Sequence, residues 1–174
     1  DNVLASLFGR TLEAGPFGPI RFDATGPIVV SASVNNVNAC GSGAVSGQWL
    51  PGLDAGGALT SGVIPQVAIS ADPATGYRTN LVVLNPSAAA ATVSVKVRKG
   101  DGTLLSSATI GPLLPNGFRQ VALDDPAVFP GLAGTSDANL WIELSSETPV
   151  LAFTSVIHNV SGDPFAVVAV PDAP

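Results

Sequence analysis

In the stretch "ATVSVKVRKGDG", Val93, Val95 and Val97 alternate with Ser94, Lys96 and Arg98. A period of two puts the valines on one face of a strand and the polar groups on the other. The "KGDG" that follows predicts a hairpin turn, because Gly100 and Gly102 tolerate positive φ and Asp101 bonds its own backbone. "TLLSSATI" is then the returning strand. "YRTNLVVLNP" predicts a strand ended by Asn85 and Pro86, and "GFRQVAL" one opened by the "LPNG" turn. "ANLWIELSS" sets Leu140, Ile142 and Leu144 on one face, with Trp141 and Glu143 on the other. "TPVLAFTSVIHN" is apolar on both faces, as a central strand is, and "FAVVAVP" is the last strand. No long 3.6-residue periodicity survives the prolines. Short helical turns are expected only at "NVLASLF" and "DPAVFPGL".

The pattern is written twice. One constant shift carries Pro27 onto Pro149, Ile28 and Val29 onto Val150 and Leu151, and Ser33 and Val34 onto Ser155 and Val156. The same shift carries Ile20 onto Ile142 and Phe22 onto Leu144. With a small deletion, "GQWLPGLDA" meets "AVVAVPDAP". Self-similarity with flanks in matching order is the mark of a repeat. Residues 1–57 then read as the C-terminal half of a first repeat, and residues 58–174 as a complete one. Half a sandwich cannot bury its own apolar face. Its strands "PIRFDA" and "GPIVVSASV" are expected to pack on the rest of the chain or on a partner, through pairing of the twin strands 28–34 and 150–156.

Composition narrows the class. Hydrophobic residues make up 46% of the 174 and charged residues only 11%. The apolar runs are short and cut by Gly, Pro, Asn, Asp and Ser, so no spanning helix and no membrane insertion are expected. The 19 glycines and 15 prolines fall between those runs and read as turns. The fold expected is all-β, an Ig-like antiparallel β-sandwich with an extra N-terminal half repeat. A net charge of −6 with only seven basic residues argues against nucleic acid. Cys40 is alone, so no intrachain disulfide forms. The start at Asp1 and the absence of Met suggest a processed or excised piece of a larger product.

The order of these motifs resembles known families. "YRTNLVVLNPSAAAATVSVKVRKGDGTLL", the "LLPNGFRQVAL" turn and strand, "SSETPVLAFTSV" and the closing "FAVVAVP" resemble a repeat-type β-sandwich domain of large secreted bacterial proteins. With "LDDPAVFP", the core is also similar to the sandwich of the sensory rhodopsin transducer family. The first resemblance implies a secreted or cell-surface location. The second implies an oligomeric, non-enzymatic sandwich that binds small ligands or sugars. Both cover about residues 63–171 through turn and core patterns, and neither transfers a functional residue.

The chemistry-bearing residues are few. His158 is the sole histidine, and Ser155, His158 and Asp163 lie too close in sequence to converge as a triad with an oxyanion hole. His158 is expected to end a strand and bond a neighbouring loop. One Cys and one His cannot supply a zinc site. Asp124, Asp125 and Asp163 suit turn capping better than calcium, and "NVS" at Asn159 is a formal glycosylation sequon. No phosphate loop is present. No catalytic residue, metal or cofactor is therefore expected. Aromatics remain: an outward Trp141 stacks on a sugar or a partner, or else is covered by the N-terminal half or a subunit. Tyr77 and Arg78 open a strand and are candidates for a loop-end site with His158. Trp49 is expected in the core.

The reading is a non-catalytic structural or adhesive module of a secreted or cell-surface bacterial protein. Its partners are another protein or a second copy, bound through sheet edges. The alternative is an oligomeric sandwich binding a small ligand or carbohydrate at Trp141, Tyr77, Arg78 and His158.

Overall fold

The computed structural model describes residues 18–36 and 46–172. In chain order the strands are β1 (Ser31–Asn36), β2 (Ser46–Pro51), β3 (Leu59–Ile69), β4 (Tyr77–Leu84), β5 (Ala91–Lys99), β6 (Leu104–Leu113), β7 (Phe118–Ala122), β8 (Asp137–His158), β9 (Pro164–Val168) and β10 (Val170–Pro171). Two short 3₁₀ turns, Ala55–Gly57 and Pro130–Leu132, complete the regular structure. The second falls within "DPAVFPGL", where a helical turn was expected. "NVLASLF" and Cys40 lie outside the described residues. Among the described residues no helix is long and apolar enough to cross a membrane.

The strands form two antiparallel sheets packed face to face. One runs β10–β3–β8–β5–β6. The other runs β7–β4–β8–β9. β8 belongs to both. Its first half sets Ile142 opposite Ile64 and Val97, and its second half sets Thr154 opposite Leu81 and Val167. The sequence pattern divides this element into two strands at "SSETP"; the chain runs on through 22 residues. Pro149 offers no N–H to a ladder, and it stands where β8 leaves the first sheet for the second. The β4–β5 connection holds that crossing: the Thr148 hydroxyl donates to the Ala90 carbonyl at 3.0 Å and the Ser87 hydroxyl to the Pro149 carbonyl at 3.2 Å.

The core lies between the sheets. Val93, Val95 and Val97 of β5 are fully buried, as their alternation predicts. They meet Ile64, Ile142, Leu81 and Val83, while Phe129 and Leu132 close the core from the β7–β8 connection. The β5–β6 hairpin turns on Gly102, whose φ is 88° and whose N–H donates to the Lys99 carbonyl. The Asp101 carboxylate accepts from the Thr103 N–H at 2.9 Å, and that bond holds its pKa below the usual value. Asn85 explains why β4 ends at "NP". It is fully buried, and its Nδ2 donates to the carbonyls of Ala89, Leu113 and Leu114. Its Oδ1 accepts from the Ser87 N–H.

The N-terminal part departs from expectation. "PIRFDA" forms no strand, and "GPIVVSASV" becomes one only at Ser31. Pro19 and Pro27 lack donors, and no described strand pairs with residues 18–30. The pairing of 28–34 with 150–156 is also overturned. Residues 151–156 are central, held by β4 on one side and largely by β9 on the other, so they present no free edge. β1 instead pairs with β2 as a separate two-stranded sheet. The segment meets the rest of the chain along β9 and through side-chain bonds, Arg21 Nη1 donating to Asn116 Oδ1 and the Ser155 hydroxyl donating to Gln48 Oε1. Trp49 is 65% exposed; it sits on the face of β2 opposite Leu50.

The two hairpins nevertheless share one register. β1–β2 sets Ser31 opposite Pro51 and Ser33 opposite Trp49. β8–β9 sets Phe153 opposite Val168 and Ser155 opposite Ala166. The shift that carries Ser33 onto Ser155 carries Val30 onto Ala152. The Gly52 N–H donates to the Val30 carbonyl at 2.8 Å, and the Ala169 N–H to the Ala152 carbonyl at 2.9 Å. Trp49 therefore matches Ala166, two residues from the position that sequence alignment assigns it.

Candidate aromatic cleft

The backbone of β3 breaks step opposite Trp141. Ile64 pairs with Ile142 and Val67 with Leu140, so Pro65 and Gln66 together face a single residue of β8. This is a β-bulge, the device that re-aims side chains at sheet margins. Proline inside a strand marks such a place, since it cannot donate to the ladder. Gln66 takes a φ of 59°, a left-handed conformation that costs a non-glycine residue on the order of 1 kcal/mol or more.

The bulge opens one wall of a cleft of about 530 Å³, whose other walls include Tyr77 at the start of β4, Asn139 and Trp141 on β8, and Phe165 on β9. That volume lies within the range of small-ligand sites. Its walls offer three aromatic rings, the side-chain amides of Gln66 and Asn139, and no charged residue.

Trp141 is half-buried and held in place. Its indole Nε1 donates to the Lys99 carbonyl at 2.8 Å, and the Arg98 guanidinium carbon stands 5.8 Å from the ring centroid. Arg98 is itself tied to Glu143 at 2.9 Å, and Lys96 reaches the other carboxylate oxygen at 2.5 Å. These bonds, Lys96 first and then Arg98, hold the Glu143 carboxyl below its usual range. The row Lys96–Glu143–Arg98 thus runs up to the Trp141 ring and holds Arg98 beside it. Among the described residues, the side-chain hydrogen bonds of the N-terminal part reach Asn116 and Ser155, both away from the Trp141 face.

The sequence-selected residues divide. Tyr77 and Trp141 both line the cleft. His158 stands behind Tyr77, with ring centroids 5.1 Å apart at 56°, and is not part of the cleft wall. Its Nδ1 accepts from the Ser161 N–H and lies 3.0 Å from the Ser161 hydroxyl, so it ends β8 and binds the following loop. Arg78 donates to Asn159 Oδ1 at 2.8 Å, away from the cleft. Ser155, His158 and Asp163 form no relay. The Ser155 hydroxyl goes to Gln48, and Asp163 meets His158 through its backbone carbonyl. Asp125 caps its own turn by accepting from the Ala127 N–H. Among the described residues no group of three or more His, Cys, Asp and Glu gathers at metal-binding spacing. Phe165 and the Pro65–Gln66 bulge are the parts that sequence reasoning missed. Pro65 inside "GVIPQVAI" was the available signal.

A second cavity, at the β8 crossing between Leu59, Ser61, Ser146 and Val150, holds only about 10 Å³, the scale of one water. The aromatic cleft is by far the roomier of the two. Comparison with protein families, curated proteins and solved structures finds no match to this chain.

Proposed function

We propose that the chain is a non-catalytic structural or adhesive β-sandwich module of a secreted or cell-surface protein built from repeats. The observation that carries this reading is the shared hairpin register. The hydrogen bond from Gly52 to Val30 and that from Ala169 to Ala152 occupy matching places in two hairpins whose first strands also match in sequence. Duplicated strand–turn–strand units are how arrays extend, each repeat burying the face its neighbour leaves open. The chemistry agrees: the histidine is engaged in a loop, and the acidic side chain of greatest interest, Glu143, serves to place Trp141.

A second reading rests on the cleft. Aromatic faces beside uncharged amides suit a neutral ligand with an apolar ring face, of which a pyranose sugar is the common example. One experiment separates the two. Heat unfolding of the full chain is followed with and without millimolar neutral mono- and oligosaccharides. A structural module shows no shift. A sugar-binding sandwich shows a rise that grows with ligand concentration and is lost in Trp141→Ala. That rise would replace the first reading with the second.

A further inference from the structure

The matched stretches of the chain differ in burial, and residues 20–29 also lie outside any strand. Ile142, Leu144, Val150 and Leu151 of β8 are 0%, 4%, 4% and 8% exposed. Their sequence counterparts Ile20, Phe22, Ile28 and Val29 are 42%, 57%, 55% and 100% exposed. The side chains are of the same kind and order; their backbone conformation and their cover differ. In β8 that cover is known. Ile142 lies against Ile64 and Val97, Leu144 against Gly62 and Val95, Val150 against Leu59, and Leu151 against Leu84. These cross-strand neighbours come from β3, β4 and β5, within residues 58–123, and Phe129 and Leu132 join the same core from beyond them.

We propose that residues 20–33 are a docking surface for the front half of another repeat, a polypeptide segment with the strand pattern of residues 58–123. The inference rests on the repeat reading above and names its partner. The segment would lay its β3-, β4- and β5-like strands on Ile20, Phe22, Ile28 and Val29, as residues 58–123 lie on β8. A second copy of this chain does not offer such a surface, because its β3, β4 and β5 already hold its own β8. The hairpin β1–β2 is already in the register the completed sandwich requires, so docking adds strands to a formed template. Association of this kind buries apolar side chains and leaves the outer, polar strand faces in water.

The test keeps the whole chain and joins a second copy of residues 58–123 ahead of residue 1. Amide hydrogen exchange at Ile28–Ala32 is compared in the natural and extended chains. Docking is expected to slow exchange there by on the order of a hundredfold or more, toward that of Val150–Thr154. Val29→Asp should abolish the gain, whereas Val160→Asp, on an exposed turn, should leave it intact. In the natural chain neither substitution should change protection at Ile28–Ala32. The proposal is overturned if the added segment stays unfolded, if it folds without protecting Ile28–Ala32, or if Val29→Asp leaves the gain in place. It is also overturned if the natural chain sediments as a dimer that Val29→Asp dissolves, which would make a second copy the occupant. The sugar titration reads the cleft at Trp141 and not this segment, so the two proposals fail separately.

Discussion

Asn85 Nδ2 stands 3.0 Å from the Leu113 carbonyl and ties the end of β4 to the end of β6. The same nitrogen serves Ala89 and Leu114, and the side chain has no access to water. Three carbonyls thus converge on one buried amide. Asn85→Asp replaces the donor with an acceptor facing those oxygens, and should cost about 3 kcal/mol or more. Asn85→Ala leaves the carbonyls unpaired and should cost about 1–3 kcal/mol. Urea melts of the two variants check the order, Asp worse than Ala.

Val95 and Lys96 are neighbours with opposite roles. Val95 is fully buried, so Val95→Ala should cost about 1–3 kcal/mol from lost burial and the void left behind. Lys96 is partly exposed and paired with Glu143. Lys96→Ala should cost less than about 1 kcal/mol. Equal shifts of the urea midpoint would mean that the β5 register is wrong.

Glu143 gives the acid side of the stability curve a definite sign. Its folded pKa is held down by Lys96 and Arg98. Its contribution is therefore complete above the ordinary carboxylate pKa and is lost as pH falls through the lowered, folded value. Glu143→Gln should lower stability at pH 7 and flatten the fall below pH ~4.5. Chemical denaturation at a series of pH values reads both. The same variant should loosen Trp141, since Arg98 loses an ion-pair partner, and indole fluorescence should change.

His158 is a structural residue in this geometry. His158→Ala removes the contact with Tyr77 and the bonds to Ser161, and should cost about 1 kcal/mol. Any ligand binding in the cleft should survive with weakened affinity, because Tyr77 loses its backing ring. Loss of a hydrolytic turnover with this substitution would contradict the non-catalytic reading.

The alternation of β5 was legible because one face of it is dry and the other wet. Leu140, Ile142 and Leu144 were legible for the same reason. The continuity of β8 was not, since Ser145, Ser146, Glu147 and Pro149 look like a turn to any local rule. What keeps them extended is distant: Ala90 and Ser87 bond across from another connection. Tyr77 and Trp141 could be selected as aromatics near strand ends, but their meeting depends on the bulge at Pro65 and Gln66, and the positive φ of Gln66 has no sequence signature. Trp49 was misjudged because a large aromatic is usually covered, and the covering surface is not supplied by the described part of this chain.

A strand shared by two sheets cannot change length by a single residue. Side chains alternate strictly along β8, so removing one residue near Glu147 would reverse every side chain on one side of the cut. Val150, Ala152 and Val156 would turn outward while Phe153 and Ser155 turned in. Loops such as 70–76 or 159–163 can gain or lose a residue locally, whereas β8 would have to lose or gain them in pairs. Length variation among chains of this fold should therefore gather in the loops, with Asp137–His158 kept at one length or changed by twos.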